Sequence, residues 1–262
     1  FFLFTYTTLF RSTHPEGLKK AVIEHKADLG LAYDGDADRL IAVDEKGHEV
    51  DGDHIMILGA VYLKKQNKLA NDTLVVTTMS NIGLHAAAKE YGIDLAITDV
   101  GDRYVIEEMK KSGHNLGGEQ SGHMIFLDYN TTGDGTLSSL IVSKIVKEEG
   151  KTLSEQSALM TTYPQVLINV EVRNEVKNKF MENDEIRAEI ERLEKLMNGT
   201  GRVLIRPSGT QPLVRVMLEG KDEGQIRELA QGLADLIKEK LAKERSEEHT
   251  SELQTHHELV CR

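Results

Sequence analysis

The feature that most constrains the fold is a repeated alternation of short apolar strands and helical segments between residues 74 and 147. Three runs of strand-forming residues are each followed by a segment whose apolar residues recur at helical spacing. Strands joined by a helix tend to lie parallel in one sheet, because the helix carries the chain back along it. We therefore predict an α/β domain over 46–160, with a mixed, mostly parallel sheet flanked by helices.

Different patterns precede and follow this domain. We take 13–45 as the C-terminal remnant of a preceding α/β domain, and 161–245 as a smaller α+β domain that starts where the pattern changes near Pro164. The predicted strands are 29–33, 40–43, 74–78, 95–98, 123–127, 166–172, 202–206 and 213–218. The predicted helices are 16–25, 53–63, 82–91, 104–111, 137–147, 185–197 and 223–243.

Both ends of the chain differ from the rest in composition. Residues 1–10 are apolar, and 1–12 show neither helical nor strand periodicity. Residues 246–262 form a polar, histidine-containing stretch after the last predicted helix. The opening segment is too short to cross a bilayer, and it lacks the basic region and cleavage site of a signal peptide. We expect both segments to be non-native extensions of the folded protein.

Charge and cysteine content exclude several function classes. The formal net charge is −11 at pH 7, so a nucleic acid or an anionic membrane would be repelled unless a local basic patch intervened. The only cysteine, Cys261, excludes an internal disulfide and a cysteine metal site. A reducing cytoplasm is the expected compartment, and any anionic ligand must be bound by a local group of cations.

The sharpest motif is the acidic loop from Asp34 to Arg39, which follows the first apolar strand. Asp34, Asp36 and Asp38 occupy alternate positions, and a loop can bring their carboxylates onto one hard cation. Oxygen ligands of this kind suit Mg²⁺, which commonly shares a phosphate ligand. The adjacent Arg39 could hold that phosphate through two parallel hydrogen bonds.

Two other interpretations of this loop stay open. The three aspartates and Glu45 match positions one, three, five and twelve of a calcium-binding EF-hand. Arg39 stands where that loop needs glycine, however, and the residues after it predict a strand. The loop could also be a solvated acidic turn.

A second motif runs from Gly117 to His123 and precedes a predicted strand. Glu119 and Ser121 could bind sugar hydroxyls, and His123 could act as an acid or base near neutral pH. An ordinary polar turn has a similar composition. The signal is therefore weak in isolation.

A third motif, from Arg206 to Thr210, lies between two predicted strands, and Arg215 follows on the second. Arg206 offers a planar fork and Ser208 and Thr210 offer hydroxyls, while Gly209 lets backbone N–H groups approach an anion. A hairpin turn with a surface arginine is the alternative.

Two further loops end where helices are predicted to begin. Asp134 and Asp102 could each cap the helix that follows, and Asp134 could equally serve recognition. Arg103 is expected to face a ligand at the carboxyl edge of the sheet.

Taken together, the acidic loop, the Gly101 to Arg103 turn, the Gly117 to His123 loop and the Arg206 to Thr210 loop resemble the α-D-phosphohexomutase superfamily, in its expected order. The resemblance covers 13–243. Gln120 and the segment 131–135 are similar to the branch formed by phosphoglucosamine mutases.

The resemblance implies an isomerase that interconverts glucosamine 6-phosphate and glucosamine 1-phosphate through an enzyme phosphoserine, on the route to UDP-N-acetylglucosamine and the cell wall. It implies Mg²⁺ on Asp34, Asp36 and Asp38, sugar contacts from Glu119, Ser121 and His123, and phosphate binding by the loop from Arg206 to Thr210. A family homodimer stays open.

The sequence departs from the family pattern in two places. The serine loop that carries the phosphoryl group does not occur in these 262 residues, so the polypeptide alone is expected to be inactive. Gln211 stands where the family usually has glutamate. Three classes therefore remain: a fragment of a phosphoglucosamine mutase, a sister mutase for mannose or glucose phosphates, and a non-catalytic phosphosugar-binding or metal-binding module.

Overall fold

The computed structural model describes residues 15–197 and 199–260. The chain divides into two compact units, Phe1–Thr162 and Tyr163–Arg262. The elements of the first unit are α1 (Glu16–His25), β1 (Leu29–Tyr33), β2 (Leu40–Asp44), β3 (Glu49–Val50), α2 (Gly52–Lys65), β4 (Thr73–Thr77), α3 (Ile82–Glu90), β5 (Asp94–Thr98), α4 (Asp102–Ser112), β6 (Leu116–Gly118), β7 (Met124–Phe126), α5 (Gly135–Glu149) and α6 (Leu153–Ser157).

The main sheet of the first unit has the order β5-β4-β6-β7. Strand β4 pairs in parallel with β5 and β6, and β7 closes one edge antiparallel to β6. The sheet is covered on both faces, as the continuous apolar run of β4 requires. Leu74 and Val76 pack into the larger core with α2, α3 and α5, while Val75 packs on the opposite face against Val105 and Met109 of α4.

A second, antiparallel sheet in this unit has the order β1-β2-β3. Leu40 and Ala42 of β2 and Val50 of β3 are fully or almost fully buried. They belong to the same core cluster as Ile55 and Met56 of α2. The segment 15–50 therefore shares a core with the α/β sheet, and the acidic loop between β1 and β2 has a firmly packed base.

The second unit is an α+β layer. It contains β8 (Gln165–Glu171), α7 (Asp184–Met197), β9 (Gly201–Pro207), β10 (Leu213–Gly220) and α8 (Glu223–Val260). All neighbouring strands are antiparallel, in the order β8-β10-β9. Val214, Val216 and Leu218 point from the central strand into a core with the two helices. Because side chains alternate along a strand, Arg215 lies on the other face of the sheet, where Met217 and Glu219 are also buried.

The predicted fold class is confirmed, with differences in detail. The short elements β3, β6 and α6 were not predicted, because two to five residues carry too little periodicity. The predicted end of the last helix at residue 243 is wrong, since α8 continues to Val260. Neither glycine nor proline interrupts the sequence from residue 233 onward, so nothing local stops the helix.

The structure leaves the predictions for the chain ends and the domain bounds untested. The proposed leader, 1–12, lies outside the described residues. The division into a second-domain remnant at 13–45, a third domain at 46–160 and a fourth at 161–245 stays a prediction, as does the foreign origin of 246–262. Within the described ranges, no helix is both long and apolar enough to cross a membrane.

Candidate metal and phosphosugar site

The acidic loop brings its three carboxylates together. Asp34, Asp36 and Asp38 each offer one oxygen, and these oxygens lie within 4.8 Å of one another. Oxygen Oδ1 of Asp38 is buried and accepts no hydrogen bond, and Nε of Arg39 lies 3.8 Å from it, beyond hydrogen-bond distance. A buried anionic oxygen without a donor is costly unless a cation binds it. The donor set therefore fits a hard divalent cation such as Mg²⁺.

The calcium-loop alternative does not fit the structure. Leu40–Asp44 forms strand β2 instead of the second half of a twelve-residue loop. Glu45 would have to be the last ligand, but its carboxylate accepts hydrogen bonds from the hydroxyl and the backbone N–H of Ser154. The carboxylate of Glu45 therefore binds the start of α6 and not the acidic loop.

Arg39 closes the acidic loop on itself. Its backbone N–H donates to Oδ1 of Asp34 at 3.2 Å. Its Nε lies 3.7 Å from Asp34 and 3.8 Å from Asp38, and the side chain is 44% exposed. The guanidinium therefore offsets part of the loop's negative charge while staying accessible to an anion.

The acidic loop is also bonded to two loops that are distant in sequence. Leu40 donates its N–H to the carbonyl of Gly122 at 3.0 Å, and Gly135 donates to the carbonyl of Ala37 at 2.9 Å. A β-carbon at Gly122, whose φ is +93°, would lie 2.2 Å from the carbonyl oxygen of Leu40. Only glycine permits this approach.

His123 joins the three loops through its side chain. Its Nδ1 lies 3.0 Å from Oδ2 of Asp38, and its Nε2 accepts the backbone N–H of Gly133 at 3.1 Å. The accepting Nε2 makes Nδ1 the protonated nitrogen, so the neutral ring donates to Asp38. The imidazole thereby fixes one carboxylate of the metal loop.

The role of His123 as acid or base and as a sugar contact stays a prediction, and its surroundings in the free chain bear on it. The side chain is only 5% exposed. Both ring nitrogens are engaged, so no proton or lone pair is directed at a substrate. In this structure the ring of His123 links Asp38 of the acidic loop to Gly133.

We expect Gly133→Ala to destabilise the first unit by about 2 kcal/mol, because overpacking a buried site commonly costs this much. A β-carbon there would lie 2.3 Å from Nε2 of His123. Gly35→Ala is the control, since a β-carbon at Gly35 meets nothing within 4 Å. Thermal unfolding of both variants measures the effect. Equal melting temperatures for both variants would contradict the packing of His123 on Gly133.

The second predicted motif is partly a hairpin rather than a loop. Gly117 and Gly118 lie in β6, and the turn to β7 begins at Glu119. Oxygen Oε1 of Glu119 accepts the N–H of Gly101 at 3.0 Å, so this motif and the Gly101 turn come together. Ser121 is exposed at the tip of the turn.

Of the two aspartates that were predicted as possible helix caps, Asp134 and Asp102, only the first caps its helix. Asp134 caps α5, since its side chain accepts the N–H of Leu137 at 2.9 Å. Asp102 does not cap α4, because Gly101 occupies the cap position. Arg103 is 77% exposed and pairs with Glu107 one helical turn away, at 2.8 Å. This pairing on its own helix differs from the predicted ligand contact.

The start of α2 is hydrogen-bonded to the hairpin turn through Asp51 and Gln120. The sequence analysis did not predict this contact. Asp51 caps the helix through the N–H of His54, pairs with its ring at 2.7 Å and accepts from Gln120 at 3.3 Å. Burial alone would raise the pKa of Asp51, but the hydrogen bond and charge of the neighbouring His54 lower this pKa below its usual value. The capping signal before an apolar helix was present in the sequence, but its partner, 69 residues away, was not predictable.

Asp53, in the first turn of the same helix, is fully buried. Burial raises its pKa to about 7, helped by the nearby Asp51 and opposed by the N–H of Asn81 at 2.6 Å. The folded-state pKa thus lies above the unfolded value, so the folded protein favours the protonated carboxyl. Stability contributed by this group is present below about pH 4 and is lost as pH rises to about 7.

We expect Asp53→Asn, which mimics the protonated acid, to remove this loss. Chemical unfolding at pH 5 and pH 8 should show the variant gaining on the order of 2 kcal/mol relative to the parent chain at the higher pH. A stability difference between the two proteins that does not change with pH would show that Asp53 is ionised throughout.

The third motif forms the connection between β9 and β10. Ser208 is buried, donates its N–H to Leu213 at 2.9 Å and accepts the N–H of Gln211 on its hydroxyl at 3.2 Å. Gly209 and Thr210 are exposed. The loop is therefore rigid at its base and open at its tip.

Two arginines lie directly opposite each other beside this loop. Arg206 on β9 and Arg215 on β10 are register partners, so their side chains leave the same face of the sheet. Like charges in facing positions destabilise a sheet. Two guanidinium groups on one face of the sheet suit a doubly charged anion as a ligand.

Comparison with known proteins finds relatives of both units of this chain. One family model, phosphoglucomutase/phosphomannomutase alpha/beta/alpha domain III, matches residues 51–163, and the model for the C-terminal domain matches 167–236. The phosphoglucosamine mutase of Clostridioides difficile strain 630 is 71% identical over 231 residues, which cover 88% of this chain and 52% of that protein. The one of Thermoanaerobacter sp. strain X514 is 64% identical, with the same coverage.

Solved structures agree on the fold. A phosphoglucomutase/phosphomannomutase family protein from Burkholderia thailandensis has a TM-score of 0.70 at 20% identity, covering 87% of this chain and 51% of that one. Aspergillus fumigatus N-acetylphosphoglucosamine mutase, in complex with GlcNAc-6P and magnesium, has a TM-score of 0.66 at 23% identity, covering 80% and 48%.

The fold and the family matches thus place this mixed α/β protein in the phosphosugar mutase class. The chain belongs to the phosphoglucomutase/phosphomannomutase family, which is a family of isomerases. It spans about half the length of the curated relatives that it matches.

Proposed function

We propose that the chain forms the metal-binding and phosphosugar-binding part of a phosphoglucosamine mutase. The whole protein would interconvert glucosamine 6-phosphate and glucosamine 1-phosphate, on the route to UDP-N-acetylglucosamine and peptidoglycan. The observation that carries the proposal is the acidic loop, whose three carboxylates converge beside the Gly117 to His123 motif in one compact unit. The names of the most similar relatives support the choice of glucosamine.

In this proposal Asp34, Asp36 and Asp38 hold Mg²⁺. When bound, the ion neutralises charge that develops on the transferring phosphoryl group. Arg39, which contacts two of the aspartates and is half exposed, adds a second positive charge beside it. Because phosphoryl transfer depends mainly on alignment and charge stabilisation, these fixed groups supply most of what the step needs.

The remaining site residues divide between sugar and phosphate. Glu119, oriented by the Gly101 N–H, and the exposed Ser121 would bind sugar hydroxyls. Arg206, Arg215 and the loop from Ser208 to Thr210 would hold the phosphate that does not react. Arg103 would contact the ligand only if its ion pair with Glu107 broke.

The phosphoryl donor in this proposal is a phosphoserine on a serine loop that the 262 residues do not contain. Its phosphoryl group would pass to a sugar hydroxyl, giving a bisphosphorylated sugar that reorients and returns its other phosphoryl group to the serine. We expect this polypeptide, assayed alone, to bind substrate without converting it. A reducing cytoplasm stays the expected compartment.

Calorimetric titration of the chain with glucosamine 6-phosphate in the presence of Mg²⁺ tests the proposal. We expect saturable binding that weakens roughly tenfold or more in Arg206→Ala, because hydrogen bonds to a charged partner are strong. Parallel titrations with glucose and mannose 6-phosphates distinguish the sister mutases. A folded chain that binds none of these ligands would refute the proposal.

A further inference from the structure

A lysine lies under the loop that connects β9 and β10. Nitrogen Nζ of Lys177 donates to the carbonyl oxygen of Ser208 at 2.6 Å and reaches that of Gln211 at 3.5 Å. Lys177 lies 29 or more residues before the Arg206 to Thr210 motif. It was absent from the sequence-based prediction of the phosphate site.

The backbone holds Lys177 in this place. The residues that follow β8 form a turn in which Lys177 donates its N–H to the carbonyl of Arg173 at 3.1 Å. Val172 donates to the carbonyl of Pro212 at 3.0 Å, which ties the turn to the loop. Val176 is only 2% exposed and packs in the core of the second unit. The ammonium is therefore carried on a fixed base.

The carbonyl that Lys177 binds determines where a neighbouring N–H points. The peptide unit between Ser208 and Gly209 is planar and trans, as no described residue follows a cis bond, so its C=O and N–H point in opposite directions. With the oxygen turned toward Lys177, the Gly209 N–H is turned to the other side. Among the described residues, nothing accepts this N–H.

The neighbourhood on that other side favours an anion. Gly209 is exposed and a β-carbon there would meet nothing within 4 Å, so a ligand has room to approach its N–H. The facing pair Arg206 and Arg215 supplies charge on the adjoining strands. An oriented backbone N–H next to two guanidinium groups is a typical anion-binding arrangement.

We propose that Lys177 is a positioning residue of this phosphate site. By holding the Ser208 carbonyl it presents the Gly209 N–H to the bound phosphate, and its own charge adds to the attraction. The inference rests on the proposed function of the loop, and it names a residue outside the recognised motif.

The test compares Lys177→Met with Lys195→Met, which removes the same charge from a side chain that is 81% exposed on α7. Glucosamine 6-phosphate affinity is measured by calorimetry on the full chain, and the phosphate-induced shift of the Gly209 amide by NMR. We expect Lys177→Met to bind about tenfold more weakly and to lose most of the amide shift. Lys195→Met should change affinity less than twofold, and Lys177→Arg should retain affinity within about threefold.

The outcomes separate the inference from the proposed function. An affinity of Lys177→Met within twofold of the parent chain, or a retained Gly209 shift, would overturn the inference while Arg206→Ala still shows the loop to be the site. A parent chain that does not bind would overturn the proposed function itself. If Lys177→Met unfolds, Lys177→Gln tests the inference from the other side. It removes the charge but keeps a donor for the Ser208 carbonyl, so the Gly209 shift should persist while affinity falls, and a lost shift would overturn the inference.

Discussion

Asp36→Asn is expected to weaken Mg²⁺ binding by roughly a hundredfold, because affinity for a hard cation depends strongly on the number of charged oxygen ligands. Among the three aspartates, Asp36 is the exposed one. No ion pair of Asp36 is described, whereas Asp34 pairs with Arg39 and Asp38 with both Arg39 and His123. Its substitution should therefore remove a ligand and leave the loop folded.

Mg²⁺ titration by calorimetry measures this effect, and Mn²⁺ paramagnetic resonance provides an independent readout. Asp28→Asn is the matched control, since it removes one carboxylate charge from an exposed residue before β1. The control should bind Mg²⁺ as the parent does. Equal affinity of the two variants would mean that the ion binds elsewhere or through bulk charge alone.

Arg215→Gln is expected to weaken phosphate binding roughly tenfold or more without lowering the melting temperature. The loss of affinity follows because a charged hydrogen bond to the dianion is removed. The retained stability follows because Arg215 directly faces Arg206, and removing one of two facing like charges relieves repulsion in the free protein. Binding sites often retain such locally unfavourable arrangements at a cost in stability.

Calorimetry with inorganic phosphate and thermal unfolding measure the two quantities on the same preparations. Arg227→Gln on α8, where the side chain is 65% exposed and pairs with Glu223, provides a control for the change in net charge. A clear fall in melting temperature for Arg215→Gln, with unchanged phosphate affinity, would assign Arg215 a structural role instead.

Much of the fold was predictable because its signals are local. The apolar run of β4, the helical spacing of α2 and the turn residues between them each act over a few positions. The acidic loop was predictable for the same reason, since its three aspartates lie at alternate positions within five residues. The end of α8 was predicted wrongly. The prediction ended the helix where the composition becomes polar, although no glycine or proline there stops it.

The roles of individual site residues depended on distant contacts. The contact of His123 with the sugar stays a prediction, and in the structure Asp38, 85 residues earlier, contacts one ring nitrogen and Gly133 the other. Glu119 is oriented by Gly101 and Gln120 by Asp51. Residue types alone indicate which chemistry is available, whereas these long-range partners determine which groups remain free to perform it.

These contacts also explain why the motifs of the first unit act together. The acidic loop is bonded to the hairpin turn through Leu40 and Gly122, and to the start of α5 through Ala37 and Gly135. A change in one loop displaces a backbone partner of the next. We therefore expect substitutions at the glycines to affect Mg²⁺ affinity as well as stability.

The most direct measurement is residue-resolved NMR of the chain during titration with Mg²⁺ and then with glucosamine 6-phosphate. We predict that Mg²⁺ shifts the amides of 34–39 and of His123, and that the sugar phosphate then shifts those of Ser121, Gly209 and Thr210. Saturable binding of both ligands that leaves these amides unchanged would contradict the assignment of the site to these loops.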